Sequence, residues 1–241
     1  MNNFIDIHCH ILPGLDDGAG DIGESVEMLK IAEDDGISVV VATPHMGGGI
    51  YDTRIDDISR AAGMLRQRTG TPELLIGADV MISPGLIDNL KNGKVPLINN
   101  GRYLLLEFPV FSIPPVDYLS NLFDGLEYIN VSPVITHPER NAIFSRNMSL
   151  LRHLVDAGAS VQVTAMSVTG GFGRTVKRVT KELFKRGLVH AVATDAHNTK
   201  RRPPVLSKAY LKVKKDFGED TAERVFITNP RKILNGDDID T

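Results

Sequence analysis

Residues 4–20 read FIDIHCHILPGLDDGAG and residues 189–198 read VHAVATDAHN. Each is a short apolar run that ends in metal-type ligands, His8 and His10 in the first and Asp195 and His197 in the last. Similar runs lie between them, and the candidate strands are 4–8, 37–43, 73–79, 102–107, 132–137, 159–164 and 189–194. They are rich in Val, Ile and Leu, as strands buried on both faces are. Amphipathic stretches separate them, with helices expected over 22–35, 54–69, 84–91, 116–128, 148–157, 174–187, 204–217 and 219–226, and a last turn near 230–235. Asp21 with Glu24 three residues later reads as a capping box, and Gly36 closes that helix. Seven strand–helix alternations imply parallel strands joined by helical crossovers, as an α/β barrel or a doubly wound sheet.

The chain has 241 residues, 27 Lys plus Arg against 30 Asp plus Glu, and 42% hydrophobic residues. That size and composition suit one globular domain, expected to span 1–241. A net charge of −3 argues against nucleic-acid binding through overall charge. The single cysteine, Cys9, excludes an internal disulfide and a thiolate zinc cluster. The start, MNNFIDIHCHILPG, lacks the basic and apolar regions of a signal peptide, and no apolar run approaches a bilayer span. The expectation is a cytoplasmic protein that is not membrane-embedded.

The functional signal is positional. Five of the seven histidines (8, 10, 45, 137 and 197) stand at or just beyond strand C-terminal ends, and Asp79, Glu107 and Asp195 join them. In parallel α/β folds those ends form the active-site face. Residues two apart on a strand point the same way, so His8 and His10 face one side, with Asp6, and Ile7 and Cys9 the other. Asp195-x-His197 is expected to repeat that geometry. Asp6 is expected to orient a ligand from behind.

Nine residues (His8, His10, Asp17, His45, Asp79, Glu107, His137, Asp195 and His197) are thus candidate metal ligands, enough for two or three divalent ions. An all-nitrogen and oxygen set suits Mn, Fe, Zn, Ni or Co. Several open hard sites suit phosphate-ester hydrolysis, in which a hydroxide generated at the metals attacks phosphorus. Arg140, in His-Pro-Glu-Arg, and Arg202 are candidate phosphate binders, because the guanidinium fork matches phosphate oxygens. They form the candidate catalytic group together with Asp17, while Arg201 reads as a bystander. Gly170-Gly171-Phe172-Gly173 lacks the Lys-Ser/Thr of a P-loop and reads as a flexible turn. Arg174, Lys177, Arg178, Lys181 and Lys185 read as a solvated helix face. Cys9, His153 and His190 read as structural.

The motifs IDIHCHILPGLDDGAGD, VVATPH, LLLEFP, VITHPERN and VATDAHN together resemble the polymerase and histidinol phosphatase (PHP) superfamily. Within it they are most similar to the bacterial metal-dependent protein-tyrosine phosphatases encoded with capsule and exopolysaccharide genes, from Ile5 to about Asn235. That resemblance implies a distorted (β/α)7 TIM-like barrel with three ions, often manganese. It implies that His8, His10 and Asp195 hold one ion, that Glu107 and His137 hold a second with Asp79 bridging, and that Asp17, His45 and His197 hold a third. It implies arginines 140 and 202 around the phosphate, and a substrate on the phosphotyrosine tail of an autophosphorylating tyrosine kinase. Alternatives within reach of the same ligand set are a small-molecule phosphatase of the histidinol phosphate kind and a non-catalytic metal-binding regulator. The chain departs from the family at Asp79, where glutamate is usual and the side chain is about 1.5 Å longer, at Met-Gly-Gly-Gly after His45, and at Met166, where glycine is common.

Overall fold

The computed structural model describes residues 3–240; Met1, Asn2 and Thr241 of the expected domain lie outside the described residues. Nine strands follow in chain order: β1 (Phe4–Cys9), β2 (Ile37–Ala42), β3 (His45–Met46), β4 (Glu73–Ile76), β5 (Asp79–Met81), β6 (Tyr103–Glu107), β7 (Ser132–Thr136), β8 (Ser160–Thr164) and β9 (Ala191–Ala193). The helices are α1 (Ile22–Asp34), α2 (Ile55–Arg66), α3 (Leu86–Lys91), α4 (Val116–Tyr128), α5 (Met148–Asp156), α6 (Ala165–Thr169), α7 (Arg174–Lys185), α8 (Ser207–Phe217), α9 (Glu219–Glu223) and α10 (Asn229–Asn235). Every ladder is parallel, in the orders β1-β2-β4 and β3-β5-β6-β7-β8-β9.

The two sheets are parts of one wall. β3 continues the path of β2 after Thr43-Pro44, and β5 that of β4 after Gly77-Ala78. The single strand expected at 73–79 is therefore two, because the chain breaks where Gly77 N donates to Ala42 O (2.9 Å) and Asp79 N to Pro44 O (3.1 Å). At the other side β9 returns beside β1, where Asp195 N donates to His8 O and His10 N to Ala196 O, both at 2.8 Å. Seven staves thus run around a distorted barrel, in agreement with the expected α/β class.

Side-chain alternation sorts the apolar residues into two layers. Ile5, Ile7, Val39, Val41, Tyr103, Leu105, Val134, Ala191 and Ala193 pack with one another inside the strands, and Ile98, Ile233 and Leu234 close that layer below. Phe4, Val40, Ala42, Leu104, Leu106, Ile135, Val161, Val163 and Val192 face the helices. Burial of such side chains stabilises the fold by about 25 cal/mol per Å².

One strand breaks the alternation. Ile5 and Ile7 belong to the inner layer, yet Cys9 belongs to the outer one. The β1–β2 register shifts between Asp6 and Cys9. His8 and His10 still face one side, as expected, with their Nε2 atoms 3.1 Å apart; the irregularity corrects only the sides expected of Ile7 and Asp6. Ile7 and Cys9 do not share a face, and Asp6 does not lie behind the site. Asp6 instead accepts hydrogen bonds from the backbone N–H (2.9 Å) and the hydroxyl of Thr194 on the outer side of β9. Bulges of this type re-aim side chains next to active sites.

Other expectations needed smaller adjustment. Asp21 caps α1 by accepting from Glu24 N (3.0 Å) and Glu24 accepts from Gly20 N, one residue before the cap rather than from the cap itself. The short α6 occupies a stretch with no helix expected. His153 is exposed, whereas His190 is buried and accepts from Val161 N at 3.0 Å. Asp35, at the C-terminal end of α1, receives Leu206 N (2.6 Å), Ser207 N (2.9 Å) and the Ser207 hydroxyl, and so caps the distant helix α8. Asp35→Ala is expected to lower unfolding free energy by about 1–2 kcal/mol, the usual cost of a lost helix cap, as measured by urea denaturation.

Candidate metal centre

The C-terminal ends of the strands carry the polar residues inward. Strand register sets part of the arrangement directly: His45 pairs with Asp79 across β3–β5, and Met81 with Glu107 across β5–β6. Glu107 extends the inward row of Tyr103 and Leu105, and Thr136 that of Val134. His137 and Asp195 follow β7 and β9 in left-handed backbone conformation, with φ of 36° and 51°. Such conformations cost non-glycine residues about 1–3 kcal/mol and cluster at functional sites. Asp195 and His197 therefore do not repeat the strand geometry of His8 and His10; a turn beyond β9 delivers them.

All nine expected ligands converge. Their ligand atoms fall into four overlapping groups, each with its atoms within 4.8 Å of one another: His8, His10 and Asp195; His8, Asp79 and His137; His45, Asp79 and Glu107; and His10, Asp17, His45 and His197. Asp79 belongs to two groups, so the shorter carboxylate still reaches both sets of imidazoles. Its Oδ1 accepts from the Thr136 hydroxyl (3.1 Å). Its Oδ2 is buried and accepts no hydrogen bond, although His8 Nε2, His45 Nδ1 and His137 Nε2 stand 3.5, 3.4 and 3.8 Å away. A buried carboxylate oxygen without a partner is costly unless a cation faces it. That orphaned oxygen, among imidazole nitrogen and carboxylate oxygen donors, fits divalent metal.

The imidazoles are held from behind. Nδ1 of His10 meets Asp16 Oδ2 at 2.7 Å, and Nδ1 of His8 meets Gln162 Oε1 at 3.0 Å. The Nε2 atoms are thereby aimed at the same place, 3.1 Å apart. Nδ1 of His197 lies 3.0 Å from the Asp195 carbonyl, leaving Nε2 3.5 Å from Asp17. Asp16 also accepts His45 N (2.9 Å) and Gly18 N (2.9 Å). Gly18 permits no side chain, since an added Cβ would lie 2.0 Å from His10 O. Asp17 is half exposed at the mouth.

Electrostatics follow from crowding. Burial pushes His8 down to about 3, against the pull of Asp79 and Asp195. Burial also opposes charge on His10 and His45, but Asp16 and Asp195 raise His10 to about 9, and Asp79 and Glu107 raise His45 to about 11. The hydrogen bond with His197 is the largest influence holding Asp17 below the carboxylate range. Asp195 is held well below it despite its burial, by Arg140 and His8 foremost.

Asp195 links two kinds of group. Oδ1 lies 3.6 Å from His8, 3.4 Å from His10 and 3.7 Å from His197. Oδ2 receives Arg140 Nη2 at 2.5 Å and Arg202 Nη2 at 2.6 Å. Both guanidiniums border the Phe172 ring, 5.1 and 5.7 Å from its centroid. Their Nε–H groups are buried and donate to no acceptor among the described residues. The adjoining cleft, of about 340 Å³, is lined by Asp17, His45, Glu107, His137, Arg140 and Arg202 on its polar side. Phe108, Val110, Pro138 and Phe144 form its apolar wall.

A family model described as "Capsular polysaccharide synthesis, CpsB/CapC" matches residues 4–235. The chain belongs to this family. It is 39% identical over 220 residues to the tyrosine-protein phosphatase YwqE of Bacillus subtilis, covering 90% of this chain and 86% of that one. It is 30% identical over 239 residues to the tyrosine-protein phosphatase CpsB of Streptococcus pneumoniae, covering 95% and 98%. A solved chain from work on YwqE and CpsB, described as metal-dependent tyrosine phosphatases, superposes with a TM-score of 0.93 at 37% identity, covering 98% of this chain and 96% of that one. A lactonase of Listeria monocytogenes, at 14% identity and TM-score 0.59 over 96% and 94% of the two chains, shares the fold alone.

Sequence reasoning missed the residues behind the ligands. The stave that offered no ligand, β8, supplies Gln162, which sits between Val161 and Val163 and which alternation turns inward. Asp16 stood out only as part of a motif, and Phe172 only as part of a turn. Arg201 is exposed, and Cys9 is a buried thiol whose Sγ lies 3.9 Å from Ala196 O, as expected of a structural residue. Gln162→Leu or Asp16→Asn is expected to weaken metal binding by about 10–100-fold in titration calorimetry. His10 and His45 must shed protons to ligate, so wild-type metal affinity is expected to rise from pH 6 to pH 9, with protons released on binding.

Proposed function

We propose that this protein is a metal-dependent protein-tyrosine phosphatase. The observation that carries the reading is the pair of buried, unpaired Nε–H donors of Arg140 and Arg202 beside a nine-residue metal-type ligand set. Guanidinium donors of this kind suit a tetrahedral anion. The apolar wall of Phe108, Val110, Pro138 and Phe144 suits the phenyl ring of the ester. The named activities of YwqE and CpsB point the same way.

The proposed ligand sets are His8, His10 and Asp195; Glu107 and His137 with Asp79 shared; and Asp17, His45 and His197. Three divalent ions, manganese foremost, would supply Lewis-acid charge and lower the pKa of water. The chain's own residues do the rest. Arg140 and Arg202 orient the phosphoryl oxygens and offset charge as it builds. Asp195 holds both guanidiniums through one oxygen while its other faces the histidines, so anion site and metal site keep a fixed separation. Asp17, at the mouth, is the third member of the proposed catalytic group. The phenolic leaving group, with a pKa of about 10, needs little protonation to depart. We assign residues 1–241 to one domain, a cytoplasmic location, and a substrate on the phosphotyrosine tail of a tyrosine kinase that controls capsule synthesis.

The deciding experiment is phosphate release from a tyrosine-phosphorylated peptide by protein stripped of metal and reloaded with manganese. Release is expected only with metal. Arg140→Ala is expected to lower kcat by about 10²–10³-fold, as for other lost charge-stabilising donors; metal-replete protein inert toward every phosphotyrosine substrate would overturn the reading. Phe172 acts as a positioning residue. Phe172→Ala is expected to weaken inhibition by inorganic phosphate roughly fivefold, about 1 kcal/mol of lost cation–π contact, with metal affinity unchanged and recovery in Phe172→Tyr.

A further inference from the structure

The charge of this chain is strongly segregated. Residues 174–215 hold 13 of the 27 Lys plus Arg but only 2 of the 30 Asp plus Glu, Glu182 and Asp195. One of those two acids, Asp195, is buried in the centre described above. A chain with net charge −3 thus carries one basic flank.

The fold brings that flank to the cleft. Phe172, against Arg140 and Arg202, is two residues before Arg174, the first residue of α7. Lys177 reaches back to donate to Thr169 O (3.2 Å), at the end of α6. Lys177 and Lys181 of α7 share a small hollow with Lys212 and Asp216 of α8, which pair with each other. On the adjoining turn, Asn198 Oδ1 accepts the amides of Lys200 (3.1 Å), Arg201 (2.7 Å) and Arg202 (3.1 Å). That turn fixes Arg202 toward the site while Lys200 and Arg201 stay exposed. Arg174, Arg178, Lys181, Lys200 and Arg201 are exposed and form no ion pair among the described residues. Elsewhere on the same flank Arg186 pairs with Glu182 and Lys212 with Asp216.

We propose that the exposed Lys/Arg face of α7, with the Lys200–Arg201 turn, is a docking strip for acidic residues flanking the phosphotyrosine of a polypeptide substrate. This deepens the phosphatase reading and rests on it. Continuity with the cleft favours a polypeptide over a membrane: a chain whose phosphotyrosine enters beside Phe172 leaves across the start of α7. Clustered charge of one sign raises encounter rates with an oppositely charged partner by 10-fold or more, and does so less as salt rises. Because Arg178 and Lys181 lie outside the cleft, they alter capture of the chain and leave bond cleavage alone.

The test compares three substrates of manganese-loaded enzyme: a phosphotyrosine peptide with Asp and Glu on both sides, the same peptide with Ser in their place, and a small aryl phosphate. The variants are Arg178→Glu/Lys181→Glu and the milder Arg178→Gln/Lys181→Gln, with thermal melting as the fold check. For the acidic peptide, kcat/KM is expected to fall about tenfold in the charge-reversed variant, less in the Gln variant, and to depend steeply on salt in wild type. The Ser peptide and the aryl phosphate are expected to be unaffected. Equal rates on all three substrates in wild type and both variants overturn the strip while leaving the phosphatase reading intact. Binding to anionic vesicles that both variants abolish, with peptide kinetics unchanged, overturns it in favour of a membrane. No hydrolysis of any of the three would instead strike at the phosphatase reading.

Discussion

The carboxylate of Asp195 joins the two halves of the site. One oxygen faces three imidazoles and the other takes two guanidiniums. Buried acid is tolerated only when its charge is matched, and here the match is made in two directions at once. The left-handed backbone at Asp195 is what allows this, since it turns the chain off β9 and over the barrel mouth. The first and last staves are hydrogen-bonded at the same level, through His8 and His10 on one side and Asp195 and Ala196 on the other. The geometry of the centre therefore depends on how the ends of the chain meet.

Order at the site is layered. Nearest the centre are nine groups with nitrogen or oxygen donors. Behind them stand Asp16, Gln162 and Thr136, which fix ring orientation and bind the spare carboxylate oxygen. Away from the site, on the outer side of the barrel wall, the Thr194–Asp6 pair ties β9 to β1. Positioning of this kind is what makes a ligand set selective and tight. The same logic extends to the anion side, where Asp195 Oδ2 holds two like-charged guanidiniums together and both border the Phe172 ring.

The likeness to the CpsB/CapC family covers residues 4–235, and the structure places Asp79 and Met166, two residues at which the resemblance implies departures from the family pattern. Asp79 still stands in two ligand groups. It does so because β5 pairs with both β3 and β6, placing its backbone opposite His45 and Leu105. Met166 rests against Gly171, where an added Cβ would sit 2.6 Å from its terminal methyl, and so helps to shape the loop that carries Phe172.

The sequence by itself determined the α/β class, the approximate staves, and which residues meet at one rim. Those follow from local apolar runs and from the rule that parallel strands bring their C-terminal ends together. It also determined that Cys9 lies away from the ligands. Only the tertiary structure decided how each ligand arrives. The slip in β1 near His8, the break at Gly77–Ala78, and the left-handed turns at His137 and Asp195 arise from packing between staves far apart in the chain. Gln162 and Asp16 became visible as partners for the same reason: a hydrogen bond between residues 8 and 162 leaves no trace in local periodicity. Charge segregation over 174–215 was present in the sequence, but its bearing on the site came only when α7 and the turn after His197 were brought to one edge of the cleft.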